Sequence, residues 1–339
     1  MQTTTPDTIV KTTEDSIEQH LSGLATLRQE IGKVIVGQQA VVDQMLICLL
    51  ARGHALLEGV PGLGKTLLVK TLADCTELAF KRVQFTPDLM PGDILGSEIL
   101  EEDHSTGKRF FKFQRGPIFT NVLLADEINR TPPKTQSALL ESMQEYSVTV
   151  GGETMALPEP YFVLATQNPI EQAGTYPLPE AQLDRFLLNI HIDYPSEQEE
   201  IDILRATTGG STAKPRPCLD AAGLLAMQRL VREIHISDDL YRYVASLVRA
   251  TRSGEGGDSQ LQQWIKWGAG PRAGQALILA AKARAFLQQR LSVTRADIQA
   301  LLLPVLRHRI LLSFHAQADG VTVPQVLEKL LAAVPEPGQ

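Results

Sequence analysis

A lysine and a threonine close the octet Gly59-Val60-Pro61-Gly62-Leu63-Gly64-Lys65-Thr66, and the spacing G-x-x-x-x-G-K-[ST] suits it to holding a polyphosphate. Glycines let the backbone curl so that its N–H groups point at phosphate oxygens, and a helix starting behind the loop adds partial positive charge. Lys65 would then reach the β- and γ-phosphates, and the Thr66 hydroxyl would ligate Mg²⁺. The competing reading is a solvated glycine-rich turn. It fails because every fixed position is matched and both flanks fit: the apolar run 54–57 reads as a strand, and Leu67, Leu68 and Val69 open a helix.

A second pair of chemistry-bearing residues, Asp126 and Glu127, ends the apolar run 122–125. Mg²⁺ takes oxygen ligands and keeps several waters, so Asp126 at a strand end would organise its shell. Glu127 would orient and deprotonate the attacking water. Alone, two acids after an apolar run read as a solvated loop; the P-loop upstream reverses that reading.

Three further polar residues stand at the ends of apolar stretches. Asn168 follows the run 162–167, where its amide would hold the water or the γ-phosphate. Arg185 lies in Leu183-Asp184-Arg185-Phe186, and Arg272 in Gly270-Pro271-Arg272. A planar arginine fork suits the spread charge of a transferred phosphate. Each of these signals is weak in isolation.

The ordered set of P-loop, LLADEINR, LATQNP, LDRF and GPRA resembles the AAA+ ATPases, and most closely their MoxR family. VIVGQQ at 34–39, QFTPDLMPGDILG at 84–96, GPIFTNVLLADEINR at 116–130 and PPKTQSALLESMQE at 132–145 extend the resemblance from about Val34 to about Arg309.

The resemblance implies Walker B roles for Asp126 and Glu127, sensor 1 for Asn168, sensor 2 for Arg272, and an adenine-bordering position for Val36 and Gly37. It implies that Arg185 is an arginine finger reaching the ATP of a neighbouring subunit, and hence a ring, a hexamer in this family. It also implies chaperone-like remodelling of partner proteins, often ones carrying a von Willebrand factor A domain. The rival reading is a nucleic-acid motor or loader, or a metal-chelatase-type motor subunit of the same helix-2-insert clade. Lys108, Arg109, Lys112 and Arg115 favour that rival.

Lesser candidates carry less. Gln84 sits where related ATPases place a residue that restrains the catalytic glutamate. Arg130 reads as a surface salt bridge, with a subunit contact as the alternative. Trp264 and Trp267 read as packing between helices, and Arg307-His308-Arg309 as a solvated basic face.

The elements that must position these residues are legible in the periodicities. Strand-like runs at 81–85, 122–125 and 161–166 join that at 54–57, with helical spacing at 15–31, 40–51 and 134–145 between or before them. Strands alternating with helices predict an α/β core with a parallel sheet. Two β-hairpins interrupt it, at 97–113 and at 147–157 around Gly151-Gly152. Beyond a turn-rich run, helical patterns at 224–231, 240–248, 271–290 and 294–303 predict a small α-helical lid, with Thr294 and Asp297 forming a capping box. The expected division is an N-terminal helical segment 1–31, a nucleotide-binding core 32–206, a linker 207–217, and a lid with tail 218–339.

Composition bounds the rest. The 339 residues, 43% of them hydrophobic, suffice for two cores. No apolar stretch approaches the roughly 20 residues that span a bilayer, and the polar, threonine-rich start holds no signal region, so a cytoplasmic protein is expected. Cys48, Cys75 and Cys218 are widely spaced, which suggests buried thiols rather than a zinc site or disulfides. A net charge of −7 gives no overall field for nucleic acid and leans toward protein or small-molecule partners.

Overall fold

The structure, a computed structural model, describes residues 6–102, 107, 109–169, 174–209, 214–252 and 258–335, with side chains from Ile17 onward. Lys108 and residues 210–213 of the expected linker lie outside the described residues.

Helix α1 (Pro6–Gly32) buries Leu24, Leu27 and Ile31, the stripe that the spacing predicts. Helix α2 (Gln39–Leu50) leads to β1 (Ala55–Gly59), and the P-loop leads to α3 (Lys65–Cys75). Then follow β2 (Phe80–Gln84), the short α4 (Pro91–Leu95), β3 (Gly96–Glu102), β4 (Arg109–Arg115) and β5 (Val122–Asp126). Helix α5 (Pro133–Glu145), β6 (Ser147–Val150), β7 (Glu153–Ala156), β8 (Phe162–Gln167), α6 (Glu180–Leu183) and β9 (Leu188–Ile192) complete the α/β part.

The central sheet has the order β2-β5-β8-β1-β9, with every pairing parallel. Alternation along the strands divides the core. Leu56, Leu123, Ala125, Val163 and Ala165 face α5 through Leu139, Leu140 and Met143, while Leu57, Leu124, Leu164 and Ile190 face α1 to α3 and the lid. Strand β9 was not among the expected strands, because Asn189 and His191 interrupt its apolar run; tertiary pairing with β1 makes it an edge strand.

Both expected hairpins are present, β3–β4 paired from Gly96↔Arg115 to Glu102↔Arg109, and β6–β7 from Ser147↔Ala156 to Val150↔Glu153. Helix α7 (Glu197–Thr208) follows β9, so Thr207 and Thr208 are helical and not part of the turn-rich run.

The C-terminal part holds α8 (Ala221–Glu233), α9 (Asp238–Ala250), α10 (Ser259–Trp264), β10 (Ile265–Trp267), α11 (Pro271–Leu287), α12 (Arg295–Leu306), β11 (Leu311–Leu312), α13 (Phe314–Ala318) and α14 (Val323–Ala333). Thr294 and Asp297 form the predicted capping box of α12. The lid is not wholly helical: β10 and β11 form a two-stranded antiparallel ladder. Trp267 on β10 is 70% exposed, which corrects the expectation that it packs between helices; Trp264 packs against the core. Among the described residues no helix is long and apolar enough to cross a membrane.

Candidate active site

Parallel strands bring their carboxyl ends to one edge, where ligands of open α/β sheets bind. Gln84 stands opposite Asp126, Glu58 opposite Gln167 and Gly59 opposite Ile192, so the P-loop, the acidic pair and Asn168 share that edge. In the loop, Gly62 (φ +88°) and Gly64 (φ +72°) take left-handed conformations open to glycine, and Lys65 and Thr66 begin α3. Val60, Pro61 and Leu63 fill the intervening positions, and Leu67 follows half exposed.

The Lys65 ammonium donates to the Gly59 carbonyl. Burial pushes its pKa down, and the charges of Asp126, Glu127 and Glu58 oppose that shift, so Lys65 lies in the field of three carboxylates.

The acidic pair is held from both neighbouring strands. Thr166 of β8 donates its hydroxyl to Asp126 Oδ1 at 2.6 Å and accepts the Glu127 N–H at 2.8 Å, so one buried side chain fixes both. Arg82 of β2 bonds Asp126 Oδ2 through Nε (3.0 Å) and Nη2 (2.6 Å). Glu127 has φ +56°, a conformation rarely taken by side-chain-bearing residues. Its Oε2 accepts from Gln84 Nε2 at 2.8 Å and from Arg130 Nη1 at 3.1 Å. Arg130 thus makes the salt bridge the sequence suggests, with Glu127 as its partner. Asn168, directly after β8, is buried.

Val36 and Gly37 lie in the loop before α2. Gly37 has φ +67°, and a Cβ there would stand 2.4 Å from Glu199 Oε1, so a side chain would be strained and would displace the Glu199 carboxylate. Glu199 closes the capping box of α7, and hydrogen bonds from Ser196 and from the Gln38 backbone hold its carboxyl below the usual range. Gln38 Nε2 also donates to the Leu63 carbonyl of the P-loop at 3.4 Å. Glu199 is thus a shaping residue that sequence reasoning missed; its signal was the S-x-x-E spacing 196–199.

Arg185 and Arg272 lie elsewhere. They line a separate cleft of ≈ 230 Å³ with Arg52 and Arg309, and no residue of the P-loop lines it. Arg185 Nη1 donates to the Leu140 carbonyl at 2.5 Å. Arg272 and Arg185 thus line one cleft, and no P-loop residue borders it. With Arg52 paired to Glu159 and Arg309 to Asp184, Arg185 and Arg272 give this cleft its positive charge.

The expected solvated face Arg307-His308-Arg309 is corrected. His308 and Arg309 are buried, because the turn between α6 and β9 offers them a row of carbonyls. Arg307 is half-buried and lies in the field of Glu58 and Asp193; burial lowers its pKa and those carboxylates oppose the shift.

Asp126 and Thr66 offer hard oxygen donors, the chemistry Mg²⁺ accepts, and the Oδ2 edge of Asp126 already faces a cation in Arg82. Arg82 and Thr166 were not singled out from sequence. An arginine in a strand and a threonine in an apolar run carry no local signal of what they meet across a sheet.

Comparison with known proteins agrees with this geometry. The family described as "ATPase family associated with various cellular activities (AAA)" matches residues 54–188, and the AAA lid domain matches 259–330. The chain is 44% identical over 309 residues to "Chaperone MoxR1" of Mycobacterium tuberculosis, covering 91% of this chain and 81% of that one. It is 33% identical over 325 residues to "Protein MoxR" of Paracoccus denitrificans, covering 90% and 93%. The crystal structure of a protein from Cytophaga hutchinsonii assigned as an ATPase superposes with a TM-score of 0.88 at 40% identity, covering 96% of this chain and 98% of that one. An intact phosphate loop and acidic pair on a five-stranded parallel sheet, a helical lid and these likenesses converge: the chain belongs to the MoxR family of AAA+ ATPases.

Proposed function

We propose that the protein hydrolyses ATP with Mg²⁺ at sites shared between neighbouring subunits of a ring, a hexamer on the family pattern, and uses the cycle to remodel a partner protein. One observation carries this reading. The loop, the carboxylates and Asn168 occupy one edge of the sheet, while Arg185 and Arg272 line a cationic cleft that no P-loop residue borders. Two incomplete halves on one chain become a complete site when copies pack head to tail.

In that site the P-loop amides and Lys65 hold the phosphates, Val36 and Gly37 border the adenine, and Thr66 with Asp126 holds Mg²⁺. The metal, when bound, neutralises charge on the β- and γ-oxygens. Glu127 takes the proton of the attacking water, and Asn168 orients that water. Arg185, with Arg272 beside it, stabilises charge on the neighbour's transferred phosphoryl, an effect worth about 10³ to 10⁵ in rate in other NTPases. Gln84 and Arg130 hold Glu127 until it is needed.

The chaperone name of the Mycobacterium tuberculosis relative supports protein remodelling, for which a partner with a von Willebrand factor A domain is the family expectation. A nucleic-acid motor is less well supported, because Arg109 pairs with Glu102 and Lys112 with Glu101, so two of the first hairpin's three described cations already face carboxylates. We place the protein in the cytoplasm, where its free thiols stay reduced.

Mixing inactive subunits tests the shared site. Lys65→Ala and Arg185→Ala chains, each inactive alone, should regain turnover when mixed, since about one interface in four then pairs an intact loop with an intact finger. No recovery in a proven mixed ring would overturn the reading.

A further inference from the structure

Arg309 stands just past α12, within the stretch matched by the lid family, yet most of what it touches belongs to the α/β core. Its side chain is only 3% exposed, and all five guanidinium N–H groups are used. Nε donates to Asp184 Oδ1 at 2.7 Å, and Nη2 to the carbonyls of Asp184 at 3.3 Å and Phe186 at 2.7 Å. Nη1 donates to the Leu187 carbonyl at 3.2 Å and to the Val305 carbonyl of α12. His308 adds a bond from Nε2–H to the same Phe186 carbonyl at 3.1 Å.

Apart from the Val305 bond, every one of these contacts ends on residues 184–187, the turn between α6 and β9 that carries Arg185. The bonds fall on both sides of Arg185 in the chain. Leu187 N–H in turn donates to the His54 carbonyl at 2.8 Å, which ties the same turn to the start of the P-loop strand.

We propose that Arg309, assisted by His308, is a positioning residue that bolts the lid to the turn presenting Arg185, so that the position of a subunit's lid sets the position of its finger in the neighbour's site. Only a planar five-donor fork can satisfy a carboxylate and several carbonyls together. Separating lid from turn would strand a buried guanidinium opposite a carboxylate, which is strongly disfavoured. Lid displacement is therefore passed to Arg185 instead of being absorbed between the domains. In a ring this links the lid, which also carries Arg272, to the placement of Arg185 in the next site. The proposal rests on the reading of Arg185 as a finger.

The test is a double-mutant cycle on steady-state ATP turnover by the full chain, with Arg185→Ala, Arg309→Lys and the double variant. Arg309→Lys should lower kcat by about 10- to 100-fold, the scale of a misplaced catalytic group. KM for ATP should stay within about twofold, because the P-loop half is untouched. In the Arg185→Ala background, adding Arg309→Lys should cost nothing further in kcat.

Parental kcat in Arg309→Lys, or an undiminished second loss in the double variant, overturns the coupling. Should Arg309→Lys fail to melt cooperatively, Asp184→Asn, which keeps volume and removes the partly buried carboxylate charge, is read by the same criteria. If Arg185→Ala alone retains full turnover, it is the finger reading that fails, and the coupling falls with it. A defective Arg185→Ala with an additive cycle removes the coupling alone.

Discussion

Gln84 and Glu127 are joined by a 2.8 Å hydrogen bond from the amide Nε2 to the carboxylate Oε2, although 43 residues separate them. The bond exists because β2 and β5 are parallel neighbours in a register that sets Gln84 opposite Asp126. It ties the proposed base to a neutral side chain at the sheet edge, a position that favours restraint of the glutamate over immediate catalysis.

Removing that restraint should free the base. Gln84→Ala is expected to raise basal turnover by up to about tenfold, the worth of one hydrogen bond to a charged group, with little change in KM. Phosphate release at saturating ATP measures it, and a fall in turnover would show that Gln84 instead holds Glu127 in its working position.

Glu127→Gln keeps the side chain's shape and removes its basicity. Turnover should drop by about 10² or more while ATP binding persists, as read by equilibrium titration with a fluorescent ATP analogue. A variant that hydrolyses at the parental rate would exclude Glu127 as the base. The same variant, held with ATP, is the one with which to capture partner proteins.

If Asp126 holds the metal as proposed, Arg82 would compete for it, since both of its bonds to that carboxylate go to Oδ2. Arg82→Ala should therefore lower the Mg²⁺ concentration for half-maximal turnover by about fivefold, matching the ~1 kcal/mol of a partly exposed ion pair. EDTA should abolish turnover in both proteins. An unchanged or higher Mg²⁺ requirement in the variant would show that Arg82 orients Asp126 for the metal.

His54 makes stability depend on pH. It is buried, accepts the Val163 N–H on Nδ1 at 3.0 Å and donates Nε2–H to the Met143 carbonyl at 3.0 Å. Burial pushes its pKa down from 6.5 to about 4. A base whose folded pKa is depressed resists protonation in the fold, so stability is complete above about 6.5 and is lost as pH falls toward 4. His54 alone should cost about 2 kcal/mol by pH 5. Buried His308, its pKa also lowered by burial, adds in the same direction. Thermal melts at pH 7.5 and pH 5 check this; His54→Gln, less stable at neutral pH, should show a shallower fall between the two.

Much of the candidate site is legible in the chain because its signals are local. The loop needs glycines, a lysine and a threonine at fixed spacing, and the acidic pair needs an apolar strand before it. Asn168 announces itself by ending a largely apolar run. Thr166 gives no such sign: its hydroxyl matters only because β8 lies beside β5. Arg309 misleads for the same reason. A basic triplet at a helix end reads as solvated until a turn 125 residues earlier supplies Asp184 and a row of carbonyls.

The sequence by itself determined the phosphate chemistry, the alternation of strands and helices and the caps of the lid, since each depends on residues a few positions apart. The tertiary structure decided that β9 is a strand, that Trp267 faces outward and that Arg82 meets Asp126. It also decided that Arg272 joins Arg185 in a cleft that no P-loop residue borders. Those outcomes depend on strand order, register and domain packing. Such relations arise between residues distant in the chain, and no local periodicity encodes them.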